Sequence, residues 1–283
     1  MRRAVVVFFL FPGFFFGCSP NNVTVDDRLG RYFDSAGVKG SFGLFDNGHG
    51  HFTIYNLPRY RDSFYSPGQT FDILQSLIAI QEGIKKDDSA ESDTPIPYGI
   101  DTSLHGADSV ARGGLGLPPN FGQEFRDTGS TNGLAFLILV QDITRDTVQK
   151  WIDSLQYGNR KTKDRAEFWL DGTLRINCDQ QLGLLKKLYF NQLPFFARTQ
   201  EIVQRMMATE SNSVYRLSYK TSLGKMEDGH GIGWVMGWVE ENKHPYFFVV
   251  NLESADGTKD LRQTGLVIAR KILQEEGFFE GKK

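Results

Sequence analysis

An α+β fold is predicted for this 283-residue chain: one antiparallel sheet of five or more strands, flanked by helices and interrupted by a helical insertion. Three observations predict it. Strand-like runs stand near the beginning, at 41–46 and 51–55, and three more lie late, at 214–221, 232–240 and 246–252. The stretch between them, about 70–210, carries helical patterns at 70–85, 133–155 and 180–208. A further helix is expected at each end, so the strands pair into one sheet with the terminal helices covering a face.

Met1, Arg2 and Arg3 form a short basic head before an almost wholly apolar run from Ala4 to Phe16, which reads as a signal peptide over residues 1–17. The run is shorter than the roughly 20 residues a membrane-spanning helix needs. It ends at Phe15-Phe16-Gly17-Cys18, which resembles a bacterial lipobox, so Cys18 is the expected lipidation site and membrane anchor. An ordinary secretory signal with an incidental cysteine is the alternative. Residues 18–25 are then a polar tether and 26–283 the folded domain, on the periplasmic or cell-surface side of a bacterial membrane.

Within the domain, Leu29, Tyr32 and Phe33 share one side of a helix over 26–36. The first two strands are joined by Asn47-Gly48-His49-Gly50, residues suited to the positive φ of a tight hairpin. Ile73, Leu74, Leu77, Ile78 and Ile80 form the apolar stripe of a long helix over 70–85, with Gly83 marking its end. Residues 86–129 are polar and then rich in glycine and proline, and are expected as loops and short helices. Helical patterns return at 133–155 and 180–208, and a closing helix is expected over 261–276.

The net charge of −2, with no basic run, provides no electrostatic footprint for nucleic acid. The chain has two cysteines, Cys18 and Cys178, so once Cys18 is acylated no intramolecular disulfide can form. Of the five histidines only His49 and His51 lie close together, at the hairpin turn, with no third ligand apparent, so neither a metal site nor a cofactor is expected.

Six short motifs stand in order on these elements: Tyr65-Ser66-Pro67-Gly68-Gln69-Thr70-Phe71-Asp72, Tyr157-Gly158-Asn159, Phe168-Trp169-Leu170, Lys220-Thr221-Ser222, the strand Gly233 to Glu240, and Leu261-Arg262. Each alone is weak evidence. Together they resemble the class D serine β-lactamases and the related penicillin-binding transpeptidases, over roughly 26–279. The resemblance implies a serine nucleophile opening a buried helix and a lysine base one turn later on the same face. It also implies a relay hydroxyl on a loop, a lysine on the sheet edge and a late arginine for the substrate carboxylate.

Placed on this sequence, the serine position is Gln69 and the lysine position Asp72, while the relay falls at Thr131 in Thr131-Asn132-Gly133. An amide forms no acyl ester, so the catalytic set Gln69, Asp72 and Thr131 is degenerate. Lys220, Thr221, Ser222, Arg262 and Trp169 hold the positions that the resemblance gives to ligand binding, although Ser222 stands where the family has glycine. The expected reading is a pseudoenzyme that binds a carboxylate-bearing β-lactam or peptidoglycan stem peptide. A residual hydrolase using Asp72 as base, and a structural envelope protein with a vestigial cleft, are the alternatives.

Overall fold

The computed structural model describes residues 22–85, 125, 142–162 and 167–283. The expected signal peptide, Cys18 and Thr131 lie outside them. Strand β1 (Val23–Val25) and a 3-10 turn (Asp27–Leu29) precede helix α1 (Gly30–Ala36), the hairpin β2 (Lys39–Asp46) and β3 (His51–Tyr55), and the short α2 (Leu57–Asp62). A 3-10 helix (Gly68–Phe71) runs into α3 (Asp72–Gln81). Helices α4 (Arg145–Leu155), α5 (Cys178–Tyr189) and α6 (Ala197–Met207) lead to β4 (Ala208–Ser211), β5 (Tyr215–Lys225), β6 (Gly231–Glu241), β7 (His244–Ser254) and α7 (Leu261–Glu275).

The strands form one seven-stranded sheet in the order β1-β3-β2-β7-β6-β5-β4. All five expected strands are in it, and two short ones flank them. One of these, β1, occupies the end of the stretch expected to be tether and runs parallel to β3, so the sheet is antiparallel except at that edge. Its pairing of Val23 with Phe52 and Val25 with Ile54 gives those valines a ladder partner that composition alone did not reveal. At the other edge β4 covers β5 only as far as Ser218, opposite Ala208.

Side-chain alternation sends the sheet's residues into two cores. Trp234, Met236, Trp238, Phe247 and Val249 join the helical insertion on one face. Val235, Val239, Phe248, Val250 and Leu252 meet Leu29, Phe33, Ile268 and Ile272 on the other, under α1 and α7. Helix α3 runs through the first core with Asp72 to Ala79 all buried, so it is enclosed on every side rather than amphipathic. It ends at Gln81, earlier than expected, with Gly83 at φ +72° in the following turn. The helix expected over 180–208 is two, α5 and α6, broken where Asn191 takes φ +55°. No helix among the described residues is long and apolar enough to cross a membrane.

Candidate functional site

The 3-10 helix Gly68–Phe71 and the start of α3 press against the outer edge of β5, in the part of the strand that β4 leaves uncovered. Glycine at 68 makes the approach feasible. It has φ +55°, and a Cβ there would sit 2.0 Å from the carbonyl oxygen of Leu223. The preceding turn is fastened on several sides: Gly68 N donates to Trp169 O at 2.9 Å, Ser66 Oγ to the same carbonyl at 2.7 Å, and Trp234 Nε1 to Ser66 O at 2.8 Å. Ser222 Oγ donates to Pro67 O at 2.9 Å. The hydroxyl standing where the family has glycine thus ties the strand to the turn.

This framework brings Gln69, Asp72 and Lys220 together, each only 2 % exposed. Asp72 Oδ2 lies 3.2 Å from Lys220 Nζ. The same ammonium donates to the carbonyl of Phe125 and stands 4.2 Å from the centre of its ring. Two charges buried in this way are tolerable only because they compensate one another and find further polar contacts. Asp72 also opens α3, where the helix dipole favours a negative charge. Gln69 reaches across to the strand, and Leu223 N donates to its Oε1 at 2.5 Å.

The other expected ligand residues divide between the two faces of β5. Lys220 and Ser222 point toward the helical insertion and are buried, whereas Thr221 alternates to the opposite face and is partly exposed. Arg262 lies in the first turn of α7, beside its N-cap Asp260, whose carboxylate accepts from the backbone N–H groups of Arg262 and Gln263. Burial lowers the pKa of Arg262, with the charges of Asp260 and Asp72 acting in the opposite direction. Its Nε is buried without a hydrogen-bond partner among the described residues. Trp169 stacks on Phe71 with ring centres 5.4 Å apart, and Tyr157 meets Phe71 edge-on at 5.6 Å. Both aromatics therefore pack under the site, and burial pushes the Tyr157 phenol well above its ordinary pKa.

Chemically, the arrangement offers buried charge and hydrogen-bond donors but no activated nucleophile among the described residues. Ser66 and Ser222 direct their hydroxyls to backbone carbonyls, not to a base. Two participants escaped the sequence reading. Phe125 lies in a stretch with weak periodicity, and no local pattern marks its carbonyl as a partner for Lys220. Leu223 contributes through its backbone N–H, two residues beyond the expected end of the strand at 221. Only the open sheet edge, visible once β4 is placed, reveals it.

Residues 45–274 match the family model of the penicillin binding protein transpeptidase domain. Beta-lactamase OXA-20 of Pseudomonas aeruginosa is 30% identical over 250 residues, covering 87% of this chain and 85% of its own. Regulatory protein BlaR1 of Bacillus licheniformis is 28% identical over 91% of this chain, which corresponds to 40% of that larger protein. The structure of the class D β-lactamase YbXI from Nostoc superposes with a TM-score of 0.74 at 28% identity, covering 89% of this chain and 99% of that one. The C-terminal domain of the Bacillus licheniformis BlaR penicillin-receptor does so with a TM-score of 0.76 at 25% identity, covering 91% and 98%. The chain belongs to the penicillin-binding transpeptidase-domain family, among the relatives of the class D β-lactamases.

Proposed function

We propose that this protein is a noncatalytic member of its family, a pseudoenzyme that recognises a carboxylate-bearing β-lactam or peptidoglycan stem peptide without acylation. One observation carries the reading: the position of the nucleophile holds the buried amide of Gln69, clamped to Leu223 N, and the position of the base holds Asp72, paired with Lys220. A neutral amide is not a nucleophile that can form an acyl ester, so the covalent step has no residue at position 69 to perform it. The similarity to the C-terminal domain of the BlaR penicillin-receptor supports a recognition role. Lys220 is committed to Asp72, and Arg262 is therefore the cation proposed to take the ligand's carboxylate through charge-assisted hydrogen bonds. The protein is proposed to be exported and anchored through Cys18.

Hydrolysis with Asp72 as general base is the weaker reading, because the ammonium of Lys220 at 3.2 Å already engages the carboxylate that would have to take a proton from water. Calorimetric titration with benzylpenicillin tests the proposal. Saturable binding is expected, weakened about tenfold or more in Arg262→Gln, since a hydrogen bond to a charged group contributes about 1.5–3 kcal/mol. Equal affinity in the two proteins, or no binding by the wild type, would count against it.

A further inference from the structure

The amide of Gln69 is satisfied on one side only. Its Oε1 accepts from Leu223 N, which fixes the orientation of the group, since the flipped amide would set two N–H donors against each other. Nε2, with two hydrogens to donate, has no hydrogen-bond partner among the described residues, although the side chain is only 2 % exposed. A buried donor left without an acceptor carries a desolvation cost, and native structures keep few of them. An apolar side chain of similar length at this position would avoid that cost. The amide sits on the uncovered part of the β5 edge, beyond the last pairing with β4 at Ser218, and 69 is the position of the missing nucleophile.

We propose that Gln69 is a ligand-recognition residue whose Nε2 donates a hydrogen bond to a carbonyl or carboxylate oxygen of the bound molecule. The proposal rests on the noncatalytic reading of the site and extends it. Leu223 holds the amide in register, leaving both Nε2 hydrogens without an acceptor among the described residues. The ligand oxygen supplies the absent acceptor, so the contact that is covalent in an acylated relative becomes a reversible hydrogen bond here. No bond is broken, and no proton is transferred.

The test is a set of titrations of the full-length protein with benzylpenicillin and, as the simplest carboxylate, sodium acetate, followed by calorimetry and by NMR of the Gln69 side-chain amide. The wild type is expected to bind benzylpenicillin with a clear displacement of the Gln69 Nε2 proton resonances. Gln69→Glu keeps an acceptor for Leu223 N but loses the donor, and should bind at least tenfold more weakly. Gln69→Met, similar in length and without a buried charge, serves if the glutamate variant does not fold, and should show the same loss. Wild-type affinity in either variant, or Gln69 resonances that stay unmoved at saturation, would overturn the inference while leaving the binding function intact. Failure of the wild type to bind either probe would overturn the underlying reading as well.

Discussion

Two arginines on the same domain are treated in opposite ways. Arg59, in α2, has all three guanidinium nitrogens engaged: Nε and Nη2 donate to Asn251 Oδ1 at 3.1 and 2.7 Å, and Nη1 donates to Glu253 Oε2 at 2.7 Å. It also lies 4.2 Å from the centre of the Tyr65 ring. Arg262, in the first turn of α7, leaves its Nε without a partner among the described residues. The first arrangement is a clasp that fastens α2 to β7 with every guanidinium nitrogen engaged, although Asn251 Nδ2 beside it is left without a partner among the described residues. The second keeps donor capacity in reserve at a cost to stability, as sites built for an incoming partner do. The same contrast separates Gln69 Nε2 from the donors of Arg59. Under the proposed reading, Arg262 Nε and Gln69 Nε2 are the donors that a ligand would satisfy.

The largest effect is expected at the buried ion pair of Asp72 and Lys220. Lys220→Met leaves Asp72 buried without its ammonium and should cost about 3–5 kcal/mol in chemical denaturation, whereas Lys220→Met combined with Asp72→Leu should recover most of that loss. A single variant as stable as the wild type would mean that the pair contributes nothing to the fold. A smaller effect is expected at the clasp. His230 Nδ1 lies 2.9 Å from Glu253 Oε1, and the hydrogen bond to Glu253, with the charge of Asp228, raises the pKa of His230 above its usual 6.5. Burial tends to raise the pKa of Glu253, but the hydrogen bonds from His230 and Arg59 outweigh it and lower the value below 4.5.

The signs follow from linkage. His230 contributes stability that is fully present below about 6.5 and is lost as pH rises through its raised folded-state value. Glu253 contributes stability present above about 4.5 and lost as pH falls through its lowered one. The clasp is therefore strongest between these limits, and His230→Gln should remove the decline on the alkaline side, read as the melting temperature at pH 5.5 against pH 8. An unchanged pH dependence in that variant would remove His230 from the clasp.

Much of this was legible from the residues. Richness in β-forming residues between turns located the three long strands of the meander, and the apolar stripe at helical spacing located α3, because both signals follow from which side chains are buried. Short elements that depend on distant partners were not legible: β1 exists because β3 offers it an edge, and β4 because β5 does. Gln69 and Asp72 could be placed by motif order at the serine and lysine positions of the resemblance, but not what they would contact. That Asp72 would neutralise Lys220 requires knowing that 72 and 220 meet. Lys220 read as a cation for a ligand, whereas the fold buries it against Asp72 and Phe125. Arg262 read as its companion, and the structure leaves it with an unused donor instead.

Whether recognition proceeds without a covalent bond is decided by intact-protein mass spectrometry after incubation with benzylpenicillin. The mass is expected to stay unchanged under conditions in which a class D β-lactamase with a blocked deacylation step accumulates its acyl-enzyme. A stable adduct mapping to any serine, Ser66 and Ser222 included, would contradict the noncovalent reading.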